Sequence, residues 1–227
     1  MSTPDSPFGR IGVFGSLFNP PHLGHVLLCT EAAWQLRLER VILVPTGFPS
    51  HRETPAEPPE TRARLALAAA TTDPVLSVSR VEVDRPGPSY MADTLRELQQ
   101  RYAANGLVLL LGADQLAALG SWHEAERLPQ LARIAVAKRP GIELHGLDHA
   151  AVDVIDMPPI GISSTLIRQR VRRGQPIRHL VPEAVRKVVE EEGLYRGDPA
   201  NAASDSRPND VLGWAGSPFD PDPEVTP

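Results

Sequence analysis

The stretch Ile11-Gly-Val-Phe14, followed by Gly15-Ser-Leu-Phe-Asn-Pro-Pro-His-Leu-Gly-His25, is the one around which the rest of the chain is arranged. An apolar run, a short Gly/Pro loop and an amphipathic run predict a strand, a tight loop and a helix. Gly15 carries no side chain, so a ligand can approach the loop closely. His22 and His25 share one face of the helix start, where backbone N–H groups and the helix dipole attract anions. The stretch predicts a phosphate site, although spacing alone leaves a surface or capping role for the histidines equally open.

Apolar and amphipathic runs alternate through the rest of the chain. The runs 40–44 and 107–111 are continuously apolar, which is typical of strands buried on both faces of a parallel sheet. Strands are predicted at 10–14, 40–44, 76–83 (at an edge), 107–111, 133–137 and 152–155, and helices at 23–36, 60–72, 91–104, 162–173 and 182–192. This order predicts an α/β fold with a single doubly wound, Rossmann-like, mostly parallel sheet flanked by helices.

Composition divides the chain into three parts. Residues 1–9 are rich in Pro and Ser and are predicted to be a flexible N-terminus, and residues 10–195 are predicted to be one domain. Pro, Asp, Ser, Gly and Asn dominate residues 196–227, an acidic tail that is predicted to be disordered. Loop 46–59 holds too many prolines for a regular element, and it follows a strand end, where α/β proteins place ligand contacts.

The charge and cysteine content exclude several classes of protein. The chain has a formal net charge of -5, so it is no general polyanion binder, and no nucleic-acid partner is expected. The single cysteine, Cys29, can form no internal disulfide, and its apolar neighbours predict a core residue and not a nucleophile. No apolar run is long enough to span a membrane, and the first residues are polar. A cytoplasmic protein without a membrane partner is therefore expected.

A second motif, Ile162-Ser-Ser-Thr-Leu-Ile-Arg168, repeats the chemistry of the first near the other end of the chain. Ser163 is a natural N-cap, and hydroxyls with backbone N–H groups at a helix start can hold phosphate oxygens. Arg168 follows Thr165 by three residues, so it lies on the same face and can add a bidentate contact. A capped helix with one surface arginine is the other interpretation of this motif alone.

Together, the two motifs resemble the HxGH nucleotidylyltransferase superfamily, and within it the bacterial nicotinate-nucleotide adenylyltransferase family. The resemblance covers most of residues 10–195. Further matches are Pro88-Ser-Tyr-Met-Ala-Asp-Thr94, Gly112-Ala-Asp114, Trp122-His-Glu124, Lys138-Arg-Pro-Gly141, Leu180-Val-Pro182 and Gly193-Leu-Tyr195. The resemblance implies a sheet of the nucleotidylyltransferase type and adenylyl transfer from ATP to nicotinate mononucleotide, giving nicotinate adenine dinucleotide and pyrophosphate. It also implies Mg²⁺ bound mainly through the ATP phosphates. No metal site made by the protein itself is expected, because no histidine has zinc spacing with cysteines or carboxylates.

The resemblance assigns residues to three roles. It implies that His22, His25 and Arg168 are catalytic. The implied ATP contacts are Gly15, Ser16, Phe18, Asn19, His22, Gly24, His25, Gly112, Asp114, Ile162, Ser163, Ser164, Thr165 and Arg168. The implied mononucleotide contacts are Arg52, Tyr90, Thr94, Asp114, Trp122 and Arg139. Without the resemblance, Trp122 would be read as a core aromatic and the two arginines as surface charges. The remaining histidines are expected at loop, surface or capping positions: His51, His123, His145, His149 and His179.

The first motif departs from the usual Gly-Gly-Thr-Phe-Asp-Pro of that family at Ser16, Leu17 and Asn19. These changes remove a glycine, a hydroxyl and a carboxylate near the expected nucleotide. Two alternatives therefore stay open: another transferase of the superfamily, such as a pantetheine-phosphate adenylyltransferase or a cytidylyltransferase, or a catalytically weak nucleotide-binding protein. A G-x-G-x-x-G fingerprint is absent after the first strand, which argues against a dehydrogenase. The sequence leaves the oligomeric state open, including a homo-oligomer.

Overall fold

Strands and helices alternate along the computed structural model of this chain, which describes residues 9–50, 54–102, 106–137 and 152–197. The strands are β1 (Arg10–Ser16), β2 (Leu38–Pro45), β3 (Phe48–Pro49), β4 (Leu76–Val78), β5 (Pro88–Ser89), β6 (Leu107–Gly112), β7 (Arg133–Ala137) and β8 (Val152–Ile155). The helices are α1 (Leu23–Leu36), α2 (Pro59–Ala70), α3 (Val81–Asp84), α4 (Met91–Tyr102), α5 (Ala113–Ala117), α6 (Leu128–Leu131), α7 (Ser164–Arg172) and α8 (Glu183–Glu191). Short 3₁₀ turns at Leu119–Ser121 and Ala125–Arg127 link α5 to α6.

Six of these strands form one sheet in the order β4-β2-β1-β6-β7-β8, and every pairing in it is parallel. The predicted α/β fold with a parallel sheet is confirmed, as is the edge position of the strand that begins at Leu76. The chain runs outward from β1 to one edge and then crosses to β6, which lies on the other side of β1. The carboxyl ends of β1 and β6 thus form the switch point at which sheets of this kind bind ligands.

Both faces of the sheet are buried, because helices cover each of them. Leu107–Leu111 are all at most 2% exposed, as a continuously apolar strand requires. On one face, Val13 and Leu109 pack with Leu95 and Leu98 of α4. On the other face, Phe14 and Leu110 pack with Leu28 and Cys29 of α1, which confirms Cys29 as a core residue. Its complete burial raises the pKa of the Cys29 thiol far above the ordinary value, so it stays protonated.

The predicted strand at 76–83 is wrong in its second half. The ladder ends after Val78, the Ser79 N–H makes a last bond to Leu43 O, and the chain then turns into the short helix α3. The alternating residues fit a strand equally well by period, but α3 buries the side chain of Glu82, which accepts a hydrogen bond from Thr94 Oγ1 at 2.7 Å. A contact with α4 therefore decides the local structure.

Two further elements differ from the sequence prediction in smaller ways. The short strand β3 lies within 46–59, where a loop was predicted, and it pairs with β5; α5 follows β6 directly. The predictions for residues 1–8, the Lys138-Arg-Pro-Gly141 match and the tail from residue 198 onward lie outside the described residues.

Candidate active site

A cavity of about 210 Å³ opens at the switch point between β1 and β6. We call it the histidine cavity. Residues of both motifs line it. The first motif contributes the loop after β1 and the start of α1, and the second contributes the segment that leads into α7. Its lining residues are Phe14, Ser16, His22, Gly24, His25, Leu28, Gly112, Asp114, Gln115, Ala137, Met157, Pro158, Ile160, Ile162 and Ser163.

The two histidines of the first motif form one unit in this cavity. Their rings stack with centroids 3.7 Å apart and an angle of 29° between the planes. His22 is the N-cap residue of α1, and its backbone N–H donates to His25 Nδ1 at 3.1 Å. Because Nδ1 of His25 accepts this bond, the neutral ring carries its proton on Nε2. The start of α1 thus fixes both the orientation and the tautomer of His25.

The N-terminus of α1 offers fewer N–H groups than the sequence predicted. The Leu23 N–H donates to Leu180 O at 3.0 Å, and the N–H groups of His25 and Val26 both point to His22 O. Gly112, another predicted contact, donates its N–H to the side chain of Gln115 at 3.1 Å. These four N–H groups are thus engaged within the protein, and the histidine side chains are the other polar groups that this helix start brings to the cavity.

Phe18 lies beneath His25 and not at the cavity surface. Its side chain is fully buried, its φ is +50°, and its ring meets the ring of His25 edge-on at 5.5 Å. Phe14 contacts both rings, at 5.8 Å from Phe18 and 5.7 Å from His25. The Phe18 ring therefore supports the histidine, and the contact with ATP that the resemblance implied stays a prediction.

The second motif reaches the same loop through hydrogen bonds. Ser163 caps α7 by accepting the Leu166 N–H at 3.2 Å, which confirms the predicted cap. Ser164 Oγ donates to Pro20 O at 2.8 Å, and Arg168 Nη1 donates to Asn19 O at 2.8 Å. The other arm of Arg168 lies 3.3 Å from Thr165 Oγ1. Two regions about 145 residues apart in the sequence therefore meet, as the paired motifs predicted.

A second cavity, of about 140 Å³, lies on the other side of the β1 loop. We call it the tryptophan cavity. Its lining residues are Gly15, Ser16, Leu17, Thr46, Pro49, Ser50, Glu82, Ser89, Tyr90, Met91, Trp122 and His123. Ser16 lines both cavities, so they meet at the end of β1. The loop after β2 packs closely against α3 here. A Cβ on Gly47 would lie 2.1 Å from Glu82 O, so only glycine fits at this position.

Three aromatic rings give the tryptophan cavity its character. Tyr90 and Trp122 both line it, as the resemblance implied. His123 also lines it, with its ring 4.2 Å from that of Tyr90 at an angle of 30°. His123 is exposed, as a surface role predicts, but the prediction missed its contact with Tyr90, because no local pattern shows that the residue before α4 lies beside it. Flat aromatic walls of this kind suit a planar heterocycle.

Thr94, a predicted mononucleotide contact, lies behind the wall of the tryptophan cavity. It is fully buried, and its hydroxyl accepts from Arg85 Nη2 at 3.0 Å while it donates to Glu82. Burial raises the pKa of the Glu82 carboxyl, and hydrogen bonds from Thr94 and Ser89 oppose that rise. This network holds the cavity wall in place, and it is a role that the sequence did not reveal for Glu82.

A buried arginine holds the loops that follow β1 and β2. Arg62 of α2 is 0% exposed and donates to four carbonyl oxygens, those of Leu17, Thr46, Gly47 and Glu57. It joins the loop after β1 to the loop after β2. From the sequence, Arg62 could be placed only within a helix. Its partners lie on three separate segments, so no local pattern reveals them.

The structure brings most of the predicted site residues together. Eight predicted ATP contacts line the histidine cavity: Ser16, His22, Gly24, His25, Gly112, Asp114, Ile162 and Ser163. Gly15 lines the tryptophan cavity, and Asp114, which was given both roles, lines only the histidine cavity. Phe18, Asn19, Ser164, Thr165, Arg168 and Thr94 lie around the two cavities without lining either. Arg52 and Arg139 lie outside the described residues.

Neither a metal cluster nor a membrane-spanning helix occurs in the described part of the chain. Within residues 9–50, 54–102, 106–137 and 152–197, no group of three or more His, Cys, Asp or Glu side chains could hold a metal ion. In the same ranges no helix is both long and apolar enough to cross a membrane.

Comparison with known proteins agrees with this geometry. Residues 13–170 match the cytidylyltransferase-like family. A probable nicotinate-nucleotide adenylyltransferase of Thermus thermophilus is 43% identical over 189 residues, which covers 82% of this chain and 100% of the relative. A relative of the same name from Saccharopolyspora erythraea is 41% identical over 85% of this chain and 92% of its own length.

A solved structure shares the fold at low sequence identity. The Plasmodium falciparum nicotinic acid mononucleotide adenylyltransferase complexed with NaAD aligns with a TM-score of 0.68 at 14% identity, over 82% of this chain and 97% of its own. The shared sheet, the paired motifs and the identity over most of the length lead to one conclusion: this chain belongs to the nicotinate-nucleotide adenylyltransferase family, within the cytidylyltransferase-like proteins.

Proposed function

We propose that this chain transfers the adenylyl group of ATP to nicotinate mononucleotide. A 5′-phosphate oxygen of the mononucleotide forms a bond to the α-phosphorus of ATP, and the bond between that phosphorus and the β-phosphate oxygen breaks. The products are nicotinate adenine dinucleotide and pyrophosphate. The attacking phosphate is already an anion, so the reaction needs alignment and charge stabilisation and not a strong base.

The observation that carries this proposal is the meeting of two different cavities at Ser16. The histidine cavity has imidazoles suited to phosphate oxygens, and the tryptophan cavity has aromatic walls suited to a pyridine ring. ATP in the first and the mononucleotide in the second would place the α-phosphorus beside the attacking phosphate at their junction. The names of the curated relatives, and the NaAD complex of the structural neighbour, support the same pair of substrates.

We assign the charge-stabilising roles to His22, His25 and Arg168. His25 carries its proton on Nε2 and can donate it in a hydrogen bond to a phosphate oxygen, and its tautomer is already fixed by the His22 N–H. Preorganised donors of this kind need no rearrangement as charge moves to the leaving pyrophosphate. Ser163, Ser164 and Thr165 stand near the start of α7, where they suit the β- and γ-phosphates.

The residues present also fit a magnesium ion carried by ATP. Among the described residues that line the histidine cavity, Asp114 is the one with a carboxylate, and it is exposed. Mg²⁺ takes one or two protein carboxylates and otherwise phosphate and water oxygens, so ATP and water would supply most of its ligands. When bound, the ion would neutralise charge on the phosphates.

Pyrophosphate release by the purified protein tests the reaction and the acceptor together. The protein would receive Mg-ATP with nicotinate mononucleotide, nicotinamide mononucleotide or phosphopantetheine in separate reactions. We expect release with the nicotinate compound. Release with phosphopantetheine alone would support the runner-up, a pantetheine-phosphate adenylyltransferase. Tight ATP binding without release under any acceptor would support a catalytically weak nucleotide-binding protein instead.

Replacing Trp122 by alanine should weaken the mononucleotide far more than ATP. Loss of ring stacking, which contributes about 0.5–1.5 kcal/mol beyond burial, should raise the KM for the mononucleotide about tenfold. The KM for ATP should stay close to wild type, because Trp122 lines only the tryptophan cavity. Steady-state kinetics with each substrate varied in turn would measure both constants.

Trp34→Ala is the matched control, since Trp34 lies on α1 with 82% of its surface exposed and lines neither cavity. An unchanged mononucleotide KM in Trp122→Ala would contradict a role for this ring in binding.

A further inference from the structure

Asn19 is nearly buried, at 6% exposed, and both ends of its side-chain amide are held by distant residues. Its Nδ2 donates to Glu57 Oε2 at 2.7 Å, and its Oδ1 accepts from the hydroxyl of Tyr195 at 2.7 Å. The carboxylate of Glu57 only accepts hydrogen bonds, so the amide has one possible orientation. The side chain thus joins the loop after β1 to the segment before α2 and to the residues that follow α8.

The backbone of the same loop carries the link to the second motif. Arg168 donates to Asn19 O, and Ser164 donates to Pro20 O, both at 2.8 Å. His22 lies three residues after Asn19 in the chain, and His25 lies six residues after it. Asn19 therefore connects the loop that precedes the histidine pair to the Arg168 guanidinium.

The charges around Asn19 explain why an amide suits this position in this chain. Glu57 is the acidic group beside it, while Arg168 lies on the backbone side and Arg62 donates to the backbone carbonyl of Glu57 at 3.2 Å. Burial raises the pKa of the Tyr195 hydroxyl, and the nearby charge of Glu57 adds to that rise, so Tyr195 stays a donor. An aspartate at position 19 would place a second carboxylate within hydrogen-bond distance of Glu57, with no proton between them.

We propose that Asn19 is a positioning residue for the transfer reaction and not an ATP contact, and that its amide is matched to Glu57. Resting on the proposed function, this inference gives a structural reason for one departure from the family's usual motif. The Asn19 side chain holds the loop after β1 in the position that lets His22, His25 and Arg168 contact the same triphosphate. Asn19 is 6% exposed and its side chain is bonded at both ends to protein groups, so burial keeps the amide away from the nucleotide.

The test uses four variants of the full chain: Asn19→Asp, Glu57→Gln, the pair of both changes, and Tyr195→Phe. Asn19→Asp should lower kcat about 10²-fold, the scale of a misplacement of about 1 Å at a reacting centre. Glu57→Gln keeps an acceptor oxygen and removes the charge, so its kcat should stay within about tenfold of wild type, as should that of Tyr195→Phe. In the paired variant the amide introduced at position 57 can donate to the carboxylate introduced at position 19. This reverses the bond and restores the single negative charge, so kcat should return to within about tenfold of wild type.

Activity would be measured well below each variant's melting temperature, so that loss of folded protein and loss of turnover are separated. Asn19→Asp with a lower melting temperature but a wild-type kcat would show a merely structural role and overturn the inference. A folded paired variant as slow as Asn19→Asp would also overturn it. If Asn19→Asp does not fold, the inference is judged on the paired variant. A kcat within about tenfold of wild type supports it, and a lower kcat overturns it.

The same set distinguishes this inference from the proposed function. A wild type that releases no pyrophosphate with nicotinate mononucleotide contradicts the proposed function. In that case the affinities of wild type and variants for Mg-ATP replace kcat. Weak binding by Asn19→Asp that the paired change restores supports the match between Asn19 and Glu57, and equal binding by all of them overturns it.

Discussion

Replacing His25 by alanine should lower turnover by about 10²–10³-fold, the usual effect of removing one preorganised donor from a reaction centre. His25 is the histidine whose tautomer the structure fixes, through the bond from the His22 N–H to Nδ1. Its Nε2–H is therefore in place before charge develops on the phosphates. The loss should fall mainly on kcat, because the interaction strengthens in the transition state.

The fold should survive this change. The His25 ring is only partly buried, and Phe14 and Phe18 still pack against each other without it. Circular dichroism would establish that the variant is folded, and pyrophosphate release would measure turnover. His179→Asn is the matched control: His179 is exposed, and asparagine tolerates its φ of +63°. Near-normal turnover of a natively folded His25→Ala protein would remove His25 from the catalytic group.

Replacing Arg62 by methionine should lower the free energy of unfolding by about 3–5 kcal/mol, because four carbonyl acceptors lose one shared donor group. Methionine fills much of the same volume, but the carbonyls of Leu17, Thr46, Gly47 and Glu57 lose their donor. Each buried acceptor left without a partner costs about 1–3 kcal/mol, less where water can enter. Arg62→Lys should recover little, because an ammonium group lacks the planar fork that reaches several carbonyls.

Urea unfolding of the two Arg62 variants and wild type would measure this loss. Arg133→Met is the matched control, since the Arg133 side chain is 61% exposed and pairs with Asp153 at the surface. Exposed ion pairs contribute about 0–1 kcal/mol, so this change should leave stability nearly unaltered. A loss in Arg62→Met no larger than in the control would mean that the loops hold their positions without Arg62.

The sequence predicted the sheet well because the signals for it are local. A strand buried on both faces must be apolar throughout, as Leu107–Leu111 are, and a helix start is marked by its own cap, as Ser163 shows. The alternation of such segments allows few topologies, and the parallel doubly wound sheet is the common one. The exception is the segment 76–83. Its period fits a strand throughout, but the contact of Glu82 with α4 accompanies the short helix α3 in its second half.

The sequence by itself also determined that two histidines lie together at the start of α1. His22 and His25 belong to one helix turn, so their spacing alone places them together, and the resemblance then supplied their role. Only the tertiary structure decided what holds that turn in place and what faces it. Asn19 meets Glu57 across 38 residues and Tyr195 across 176, and Arg62 binds carbonyls on three segments. Such contacts leave no periodic or local pattern, because packing of the finished sheet brings their partners together.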